Sequence, residues 1–358
     1  MPIGWGPVSK GRKLKMEEGK TPKQRFMAAL RGDPVDRPSA AGIVSVINYE
    51  LMDLVKAHFP AVNIEPEPMA TLAAATHDVL GFDTVMPIFS IAQEATALGC
   101  EVTWSDAAKM PTPVTHPWRD RSVGMKLPEI FPDSFLEDRY VRCAVEAIRL
   151  LKKHFGNEVA ILGKVMGPWT LSYHLWGVQD FLLNTLIDPD RVRRSLETLK
   201  TVPVTFAKAQ LEAGADAIVW ADHATGDMVR NTMYRDFLLP LHQELTPQVA
   251  APVILHCCGP TLDRIQFFRE AGFKVFHFES QVPPDKAVAE AAGKIKLAGN
   301  INNPVTLLSR GPTEVRLEAQ SAIDAGVDII APECAVPLRT PVVNLKEIVR
   351  TCEDNRQS

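Results

Sequence analysis

Among the histidines and cysteines in the second half of the chain, three could bind one transition-metal ion, namely His256, Cys258 and Cys334. Imidazole nitrogen and thiolate sulfur together suit a borderline-soft ion such as Zn²⁺, at about 2.0 and 2.3 Å respectively. Alternate side chains of an extended segment share one face, so His256 and Cys258 can approach the same ion while Cys257 turns away. Three protein ligands leave a fourth position for a substrate, which is typical of a catalytic rather than a structural metal site.

The overall composition favours a globular protein and excludes several classes of partner. The 358 residues are 46% hydrophobic and 23% charged, and the net charge of −4 gives no electrostatic footprint for nucleic acid or an anionic membrane. No apolar run approaches the roughly 18 residues needed to span a bilayer, and the N-terminus lacks the apolar core of a secretory signal. We therefore expect a cytoplasmic protein, in which clustered cysteines indicate metal binding or catalysis rather than disulfides. Cys100, Cys143 and Cys352 stand alone, and we expect them to fill the apolar core.

Short apolar runs of β type alternate along the chain with longer amphipathic segments, which indicates βα units around a parallel sheet. The eight runs are Ala41 to Val46, Thr84 to Ile88, Ala160 to Val165, Ala217 to Ala221, Val253 to His256, Val275 to Phe278, Lys296 to Gly299 and Asp328 to Ala331. Gly214 and Gly326 each stand just before such a run, where a helix would end. Eight units close naturally into a barrel, so we predict an α/β fold of the (β/α)8 TIM barrel type, as a single domain over residues 21–358.

Three segments are expected to lie outside the barrel. Residues 1–20 lack any apolar period and are predicted to form a mobile tail. Thr21 and Pro22 form an N-cap and first-turn pair and Gly32 can close the helix, which predicts an N-terminal helical extension. The stretch from Cys100 to Pro132, rich in Pro, Thr and charge, predicts an excursion that is either a lid or an edge hairpin.

In this fold the reactive groups sit at the carboxyl ends of the strands. The fifth to eighth runs end at or just before His256 and Cys258, Glu279, Asn300, and Cys334. Four adjacent strand ends therefore converge on one mouth of the barrel. The sequence predicts an open-sided metal site at this mouth.

Several segments resemble the uroporphyrinogen decarboxylase-like superfamily and, within it, the branch of zinc-dependent methylcobamide:coenzyme M methyltransferases. The resemblance extends over nearly the whole chain from Thr21 onward and rests on TPKQRFMAALRGDPVDRPS, GKVMGPWTL, AGADAIVWAD, ILHCCGP, LAGNINNP and GVDIIAPECAVP. Its most specific part is the HxC…C arrangement of His256, Cys258 and Cys334. By this resemblance these three residues bind Zn²⁺, and the chain is an enzyme that transfers one-carbon groups.

The resemblance also implies the reaction and its partners. Zinc would bind an acceptor thiol such as coenzyme M and lower its pKa, and the thiolate would then take the methyl group of a methylated corrinoid. The segment from Ala221 to Gly226 has adjacent Asp and His and does not fit the Asp-x-His-x-x-Gly motif of corrinoid carriers. We therefore expect the corrinoid on a separate carrier protein that docks over the barrel mouth.

Two carboxylates are further candidates for catalytic roles. Glu279 stands where cobalamin-independent methionine synthase, on a similar barrel, has a glutamate, so it is either an exchangeable fourth ligand or a hydrogen-bond acceptor. Asp222 ends the fourth strand and could orient His256, bind substrate or remain a solvated loop carboxylate. His223 and His277 are nearby imidazoles that we expect not to be ligands.

Three residues of the mouth are predicted to bind substrate, namely Glu94, Asn300 and Met166, the last at the start of a Met-Gly-Pro turn. The identity of that substrate stays open at the level of sequence. Tetrahydrofolate, or a methylated compound that donates to the corrinoid, are alternatives to a thiol. A folate has no thiol to ionise, which favours a thiol acceptor.

Two other functions share the fold. A uroporphyrinogen decarboxylase must hold many carboxylates and calls for cationic side chains near the first strand end, yet no arginine occurs between Arg37 and Arg119. A non-catalytic, zinc-stabilised corrinoid-binding module is the other alternative. The metal triad, absent from the decarboxylase chemistry, favours the methyltransferase over the decarboxylase, and the zinc-stabilised module stays an alternative.

Overall fold

The computed structural model describes residues 19–104, 110–119 and 127–356. Residues 1–18 of the predicted mobile tail lie outside the described residues. The first helix, α1, spans Pro22–Arg31, with Thr21 as its N-cap and Gly32 as its left-handed C-cap. The Thr21 side chain accepts from the backbone N–H of Gln24, and the Gln24 side chain accepts from the N–H of Thr21, so both orphan donors are satisfied. The predicted helical extension is confirmed.

Ten strands are present in the described residues. They are β1 Ser39–Ala40, β2 Thr84–Val85, β3 Val102–Thr103, β4 Thr112–Pro113, β5 Ala160–Met166, β6 Ala217–Ala221, β7 Val253–His256, β8 Val275–His277, β9 Lys296–Ile301 and β10 Ile329–Pro332. All but β3 and β4 form one parallel sheet in the order β1-β10-β9-β8-β7-β6-β5-β2. The edge strands meet where the Asp83 N–H donates to the Ala40 carbonyl at 2.8 Å. The predicted (β/α)8 barrel is confirmed.

Helices surround this barrel. The seventeen α-helices of the described chain are α1, α2 Tyr49–Val55, α3 Ala61–Ile64, α4 Pro66–Asp78, α5 Ala92–Ala97, α6 Pro132–Glu137, α7 Arg139–Phe155, α8 Pro168–Trp176, α9 Val178–Ile187, α10 Pro189–Leu199, α11 Thr201–Ala213, α12 Asn231–Met233, α13 Leu239–Leu245, α14 Ile265–Glu270, α15 Pro284–Ala291, α16 Pro312–Ala325 and α17 Val342–Asp354. Short 3-10 turns occupy Thr246–Gln248 and Leu262–Arg264, and π-helical turns occupy Tyr234–Leu238 and Asn303–Leu307. Within the part of the chain that the structure describes, no helix is both long and apolar enough to cross a bilayer.

The first predicted strand, Ala41 to Val46, is wrong in position. The strand is Ser39–Ala40, and after the Ala41 N–H donates to the Ile330 carbonyl at 2.9 Å the chain leaves the sheet. Ile43 and Val46 are nevertheless buried. A buried loop and a buried strand carry the same apolar run, so the sequence pattern could not separate them.

Glycines at two helix ends behave as predicted. Gly214 has φ 115° and its N–H donates to carbonyls at the end of α11, and Gly326 has φ 92° and closes α16 in the same way. These left-handed positions strain any residue with a Cβ atom. Both helices therefore stop where β6 and β10 must begin.

The excursion between Cys100 and Pro132 contains a hairpin. Strands β3 and β4 pair antiparallel, with Val102 opposite Pro113. Residues 105–109 and 120–126 lie outside the described part, so the alternative of a lid stays a prediction. The returning chain is tied to the barrel mouth because the Trp118 N–H donates to the Leu175 carbonyl at 2.8 Å and Arg119 pairs with Asp180 at 3.0 Å.

Candidate metal centre

The predicted ligands meet at the carboxyl mouth of the barrel. His256 is the last residue of β7, Cys258 follows two positions later, and Cys334 follows the end of β10 by two positions. The Cys258 sulfur lies 3.2 Å from His256 Nε2 and 3.4 Å from the Cys334 sulfur, and the third side of the triangle, from Cys334 to His256, is 3.6 Å. A tetrahedral Zn²⁺ ion separates two sulfurs by about 3.8 Å and sulfur from nitrogen by about 3.6 Å. The triangle therefore has nearly the size that such an ion requires.

The protonation states of these groups also suit a metal. Burial, together with the nearby His277 and His223, lowers the pKa of His256 well below its usual value, so the imidazole is neutral and able to bind an ion. Without an ion, the hydrogen bond between the two thiols lowers the pKa of Cys334 and, with burial, raises that of Cys258. The two sulfurs are thus joined by a hydrogen bond whose proton a bound cation would displace.

Glu279 lies beside the two cysteines, with its carboxylate within 4.8 Å of both sulfur atoms. Its Oε2 atom accepts from the Gly259 N–H at 2.7 Å and from the Gln281 side chain at 3.3 Å. The backbone next to Cys258 therefore orients this carboxylate. Both predicted roles, fourth ligand and hydrogen-bond acceptor, are compatible with this position.

The two neighbouring imidazoles differ in their relation to the cluster. A ligand atom of His223 lies within 4.8 Å of those of His256 and Cys258, and the His223 ring stands perpendicular to the His256 ring at 5.3 Å. The His277 ring is 4.7 Å from that of His256, but its Nε2 atom bonds to the Pro332 carbonyl at 2.8 Å. His277 thus supports the cluster, whereas His223 comes closer to it than the sequence suggested.

The Asp222 side chain does not bond to His256, so the predicted role of orienting that imidazole is wrong. Its Oδ2 atom bonds to His242 Nε2 at 3.0 Å, and its Oδ1 atom accepts from the N–H and the hydroxyl of Thr170 at 2.8 and 3.1 Å. His242 in turn bonds to the Tyr234 hydroxyl at 2.8 Å. The carboxylate is fully buried, so the alternative of a solvated loop carboxylate is also wrong. Asp222 joins β6, α8 and α13 beneath the mouth, where carboxyl and imidazole satisfy each other.

The three predicted substrate-binding residues are buried on the inner side of the mouth. Glu94 Oε1 accepts from the Met166 N–H at 2.8 Å, and the Asn300 side chain donates to the Val282 carbonyl at 3.1 Å. Glu94 Oε2 is buried with no hydrogen-bond partner among the described residues. Burial raises the pKa of this carboxyl group to about 7. A role in substrate binding stays a prediction for all three.

One charged residue of the barrel interior was missed from the sequence, namely Lys164 in the middle of β5. It is only 5% exposed, and its charge acts on Glu94, Cys334, His256 and His223. Burial lowers its pKa to about 8, although Glu94 and Cys334 oppose that change. A lysine inside the otherwise apolar run from Ala160 to Val165 was the available signal.

The fold and the site define a class: a (β/α)8 barrel that gathers one imidazole and two thiols at its carboxyl mouth and leaves one side of the cluster open. A family model described as "Uroporphyrinogen decarboxylase (URO-D)" matches residues 21–355. The chain therefore belongs to the uroporphyrinogen decarboxylase (URO-D) family.

Relatives narrow the similarity within this family. The chain is 29% identical over 331 residues to the methylcobamide:CoM methyltransferase MtaA of Methanosarcina barkeri, which covers 92% of this chain and 96% of the relative. It is 29% identical over 336 residues to the methylated-thiol--coenzyme M methyltransferase of Methanosarcina mazei, covering 93% and 89% respectively. A solved methyltransferase structure from Methanosarcina mazei superposes with a TM-score of 0.88 at 29% identity, over 93% of this chain and 98% of that one. The predicted resemblance to this branch is confirmed, and the names of the relatives bear out the prediction of a methyl-transferring enzyme.

Proposed function

We propose that this chain transfers a methyl group between a methylated corrinoid and a small thiol, using Zn²⁺ held by His256, Cys258 and Cys334. The observation that carries the proposal is the triangle of donor atoms with sides of 3.2, 3.4 and 3.6 Å, whose two cysteines are only partly buried. This chain is similar over nearly its whole length to enzymes named methylcobamide:CoM methyltransferases. It also has the nitrogen and sulfur atoms that a zinc ion for thiol activation needs.

The residues of the cluster and its surroundings have separate proposed roles. His256 and the two cysteines would hold the ion, which when bound supplies a Lewis acid that favours the thiolate form of the acceptor. Glu279, held by the Gly259 N–H, lies next to both sulfurs, where it would act either as a fourth ligand or as a hydrogen-bond acceptor beside the incoming thiol. His277 packs beside His256 and keeps that ring in place.

A thiol acceptor, and coenzyme M in particular, is the finer part of the proposal. The names of the relatives support it, since two of them include coenzyme M or its abbreviation. A cluster that stabilises sulfur anions also has a clear use for a thiol and none for tetrahydrofolate. The corrinoid would come from a separate carrier protein that docks over the mouth.

The two arginines near the first strand are already paired and do not serve the decarboxylase alternative. Arg25 and Arg37 both pair with the buried Asp83, at 2.7 and 2.9 Å. Asp83 directly precedes β2, so this group lies at the amino end of the strands, opposite the metal cluster. Neither arginine is available to bind the carboxylates of a porphyrinogen at the mouth.

Methyl transfer from methylcobalamin tests the proposal. The zinc-loaded protein would be mixed with methylcobalamin and, separately, with coenzyme M, homocysteine or tetrahydrofolate, and the absorbance of the methyl–cobalt bond followed. We expect loss of that absorbance with coenzyme M. Cys143→Ala is the control for variants of the two cluster cysteines, because Cys143 is a buried cysteine of α7 outside the cluster. This variant should keep the activity of the unsubstituted protein.

Each outcome decides a part of the proposal. Loss with tetrahydrofolate alone would overturn the thiol acceptor and keep the methyl transfer. Loss with none of the three acceptors would overturn the methyltransferase and favour the non-catalytic corrinoid-binding module.

A further inference from the structure

Lys164 projects into the barrel beneath the metal cluster. A Cβ atom at the preceding Gly163 would meet the Gln210 side chain of α11, so Gly163 faces the outer helices. Side chains alternate along a strand, and Lys164 therefore faces the interior. Gln210 fixes this register because its side chain both accepts from the Lys164 N–H and donates to the Lys164 carbonyl, at 2.8 and 2.9 Å. The ammonium group is thus carried on a strand whose backbone is held by Gln210 and by pairing with β6.

Charged and titratable groups face Lys164 from four directions. Glu94 approaches from α5, Cys334 from the end of β10, His256 from β7 and His223 from the end of β6. Lys164 lies level with Val219 of β6 and Ile254 of β7, two residues before His256. Glu94 is the carboxyl group whose charge acts on Lys164, and it accepts from the Met166 N–H, two residues along β5 from the lysine. Its second oxygen has no partner in the described chain. Lys164 and Glu94 therefore place one cation and one titratable carboxyl group near the cluster that contains Cys258 and Cys334.

The charge of the cluster changes when a thiol binds. A divalent ion with two cysteine thiolates and a neutral imidazole has no net charge, and a third thiolate makes the centre negative. An uncompensated negative charge in a site from which water is largely excluded is unfavourable. A cation held nearby in the interior lowers that cost more than one in water would.

We propose that Lys164 is a positioning residue for this reaction: its buried ammonium group stabilises a substrate thiolate at the cluster, and Glu94 attenuates that effect. The inference rests on the proposed function and deepens it. The proton of the thiol is released to the buffer as the thiolate forms, and Lys164 neither donates nor accepts a proton in this step. Removing the cation and removing the carboxylate should therefore have opposite effects on the acidity of the bound thiol.

Cobalt-substituted protein gives a readout that is independent of methyl transfer. Thiolate-to-cobalt absorption would be titrated against pH with saturating coenzyme M, and again with the uncharged 2-mercaptoethanol. We expect Lys164→Met to raise the pKa of the bound thiol by about 1 and to weaken its binding about tenfold at lower pH. Glu94→Gln keeps the acceptor for the Met166 N–H and should lower that pKa, and Lys164→Arg should restore the value of the unsubstituted protein.

The double variant and a surface control complete the test. Lys164→Met with Glu94→Gln buries no unpaired charge, so it keeps the test valid if Lys164→Met alone fails to fold. We expect its thiol pKa near that of the unsubstituted protein. Lys296→Met removes a lysine paired with Asp328 at the amino end of the barrel and should leave the pKa unchanged.

Failure of this inference is distinguishable from failure of the proposed function. If no thiol-dependent absorption forms in the unsubstituted cobalt protein, the proposed function is wrong and this inference falls with it. If the absorption forms but shifts in the same direction, or not at all, in the lysine and glutamate variants, only the role of Lys164 is overturned. A shift with coenzyme M but not with 2-mercaptoethanol would also overturn it, because Lys164 would then contact the sulfonate tail.

Discussion

The sulfur atoms of Cys258 and Cys334 lie 3.4 Å apart although the residues are 76 positions apart in the chain. The strands that precede them, β7 and β10, are separated in the barrel by β8 and β9. Side chains at the carboxyl ends of non-adjacent strands can meet because a closed barrel directs them toward one axis. The contact between Cys258 and Cys334 therefore depends on closure of the barrel and not on either strand alone.

Substitution of either cysteine is expected to abolish metal binding. Cys258→Ala or Cys334→Ala leaves two protein ligands, and zinc content should fall from about one equivalent to a small fraction of it, together with methyl transfer. Mass spectrometry of the native protein, or atomic absorption after dialysis, measures the zinc.

Cys257→Ala is the matched control for these two variants. Cys257 is buried next to Cys258, its thiol donates to the Cys258 carbonyl at 3.8 Å, and it takes no part in the triangle of donor atoms. Full zinc content is expected in this variant. Retention of one zinc in both Cys258→Ala and Cys334→Ala would contradict the site assignment.

Glu279→Gln is expected to separate the two roles left open for this residue. If the carboxylate is the exchangeable fourth ligand, the amide should weaken zinc affinity by about 10- to 100-fold while one zinc still binds at saturation. Competition with a chromophoric chelator measures the affinity. Unchanged affinity with a slower methyl transfer would instead identify Glu279 as a hydrogen-bond acceptor near the substrate, and Gln281→Ala serves as the control for its surface neighbour.

Asp222→Ala is expected to destabilise the fold without removing the metal. The variant leaves His242 Nε2 and the Thr170 N–H buried without partners, at a cost of about 1–3 kcal/mol for each lost hydrogen bond. Urea unfolding measures the loss, with zinc content measured in parallel. Loss of zinc from a variant that remains folded would show that Asp222 acts on His256 after all.

The stability of the metal-free protein is expected to fall between pH 7 and pH 5, in part because of His174. Burial, with His223 and His116 nearby, lowers the pKa of His174 to about 4. The unfolded chain binds this proton from its usual pKa of about 6.5 downward, whereas the folded chain does not, so acid favours unfolding. The contribution is on the order of 2 kcal/mol between pH 7 and pH 5.

Urea unfolding of chelator-treated protein at the two pH values checks this contribution. His174→Leu should reduce the loss of stability by roughly that amount, on the order of 2 kcal/mol. His58→Leu, at a half-exposed histidine, should leave the difference between the two pH values unchanged. An equal loss of stability between pH 7 and pH 5 in the His174 variant and in the unsubstituted protein would contradict this role of His174.

Residue type and periodicity predicted most of the barrel. Alternating apolar runs and the capping glycines before β6 and β10 located the strands, because buried parallel strands need continuous apolar segments and helices need defined ends. The first strand was misplaced since a buried loop has the same composition. The triad of His256, Cys258 and Cys334 was also readable, since ligand type and strand-end position both enter the sequence pattern.

Only the tertiary structure decided which side chains share a space. Orienting His256 was one of the roles open for Asp222, yet its oxygens bond to His242 and Thr170. That pairing depends on how α8 and α13 pack on β6. The sequence pattern marked Lys164 only as one residue of a predicted strand. The structure shows that it is a buried cation near Cys334. Residue type and local period in the sequence predicted the fold class and the candidate ligands. Distances between separate strands arise from closure of the barrel, and they alone decided which charges act on one another.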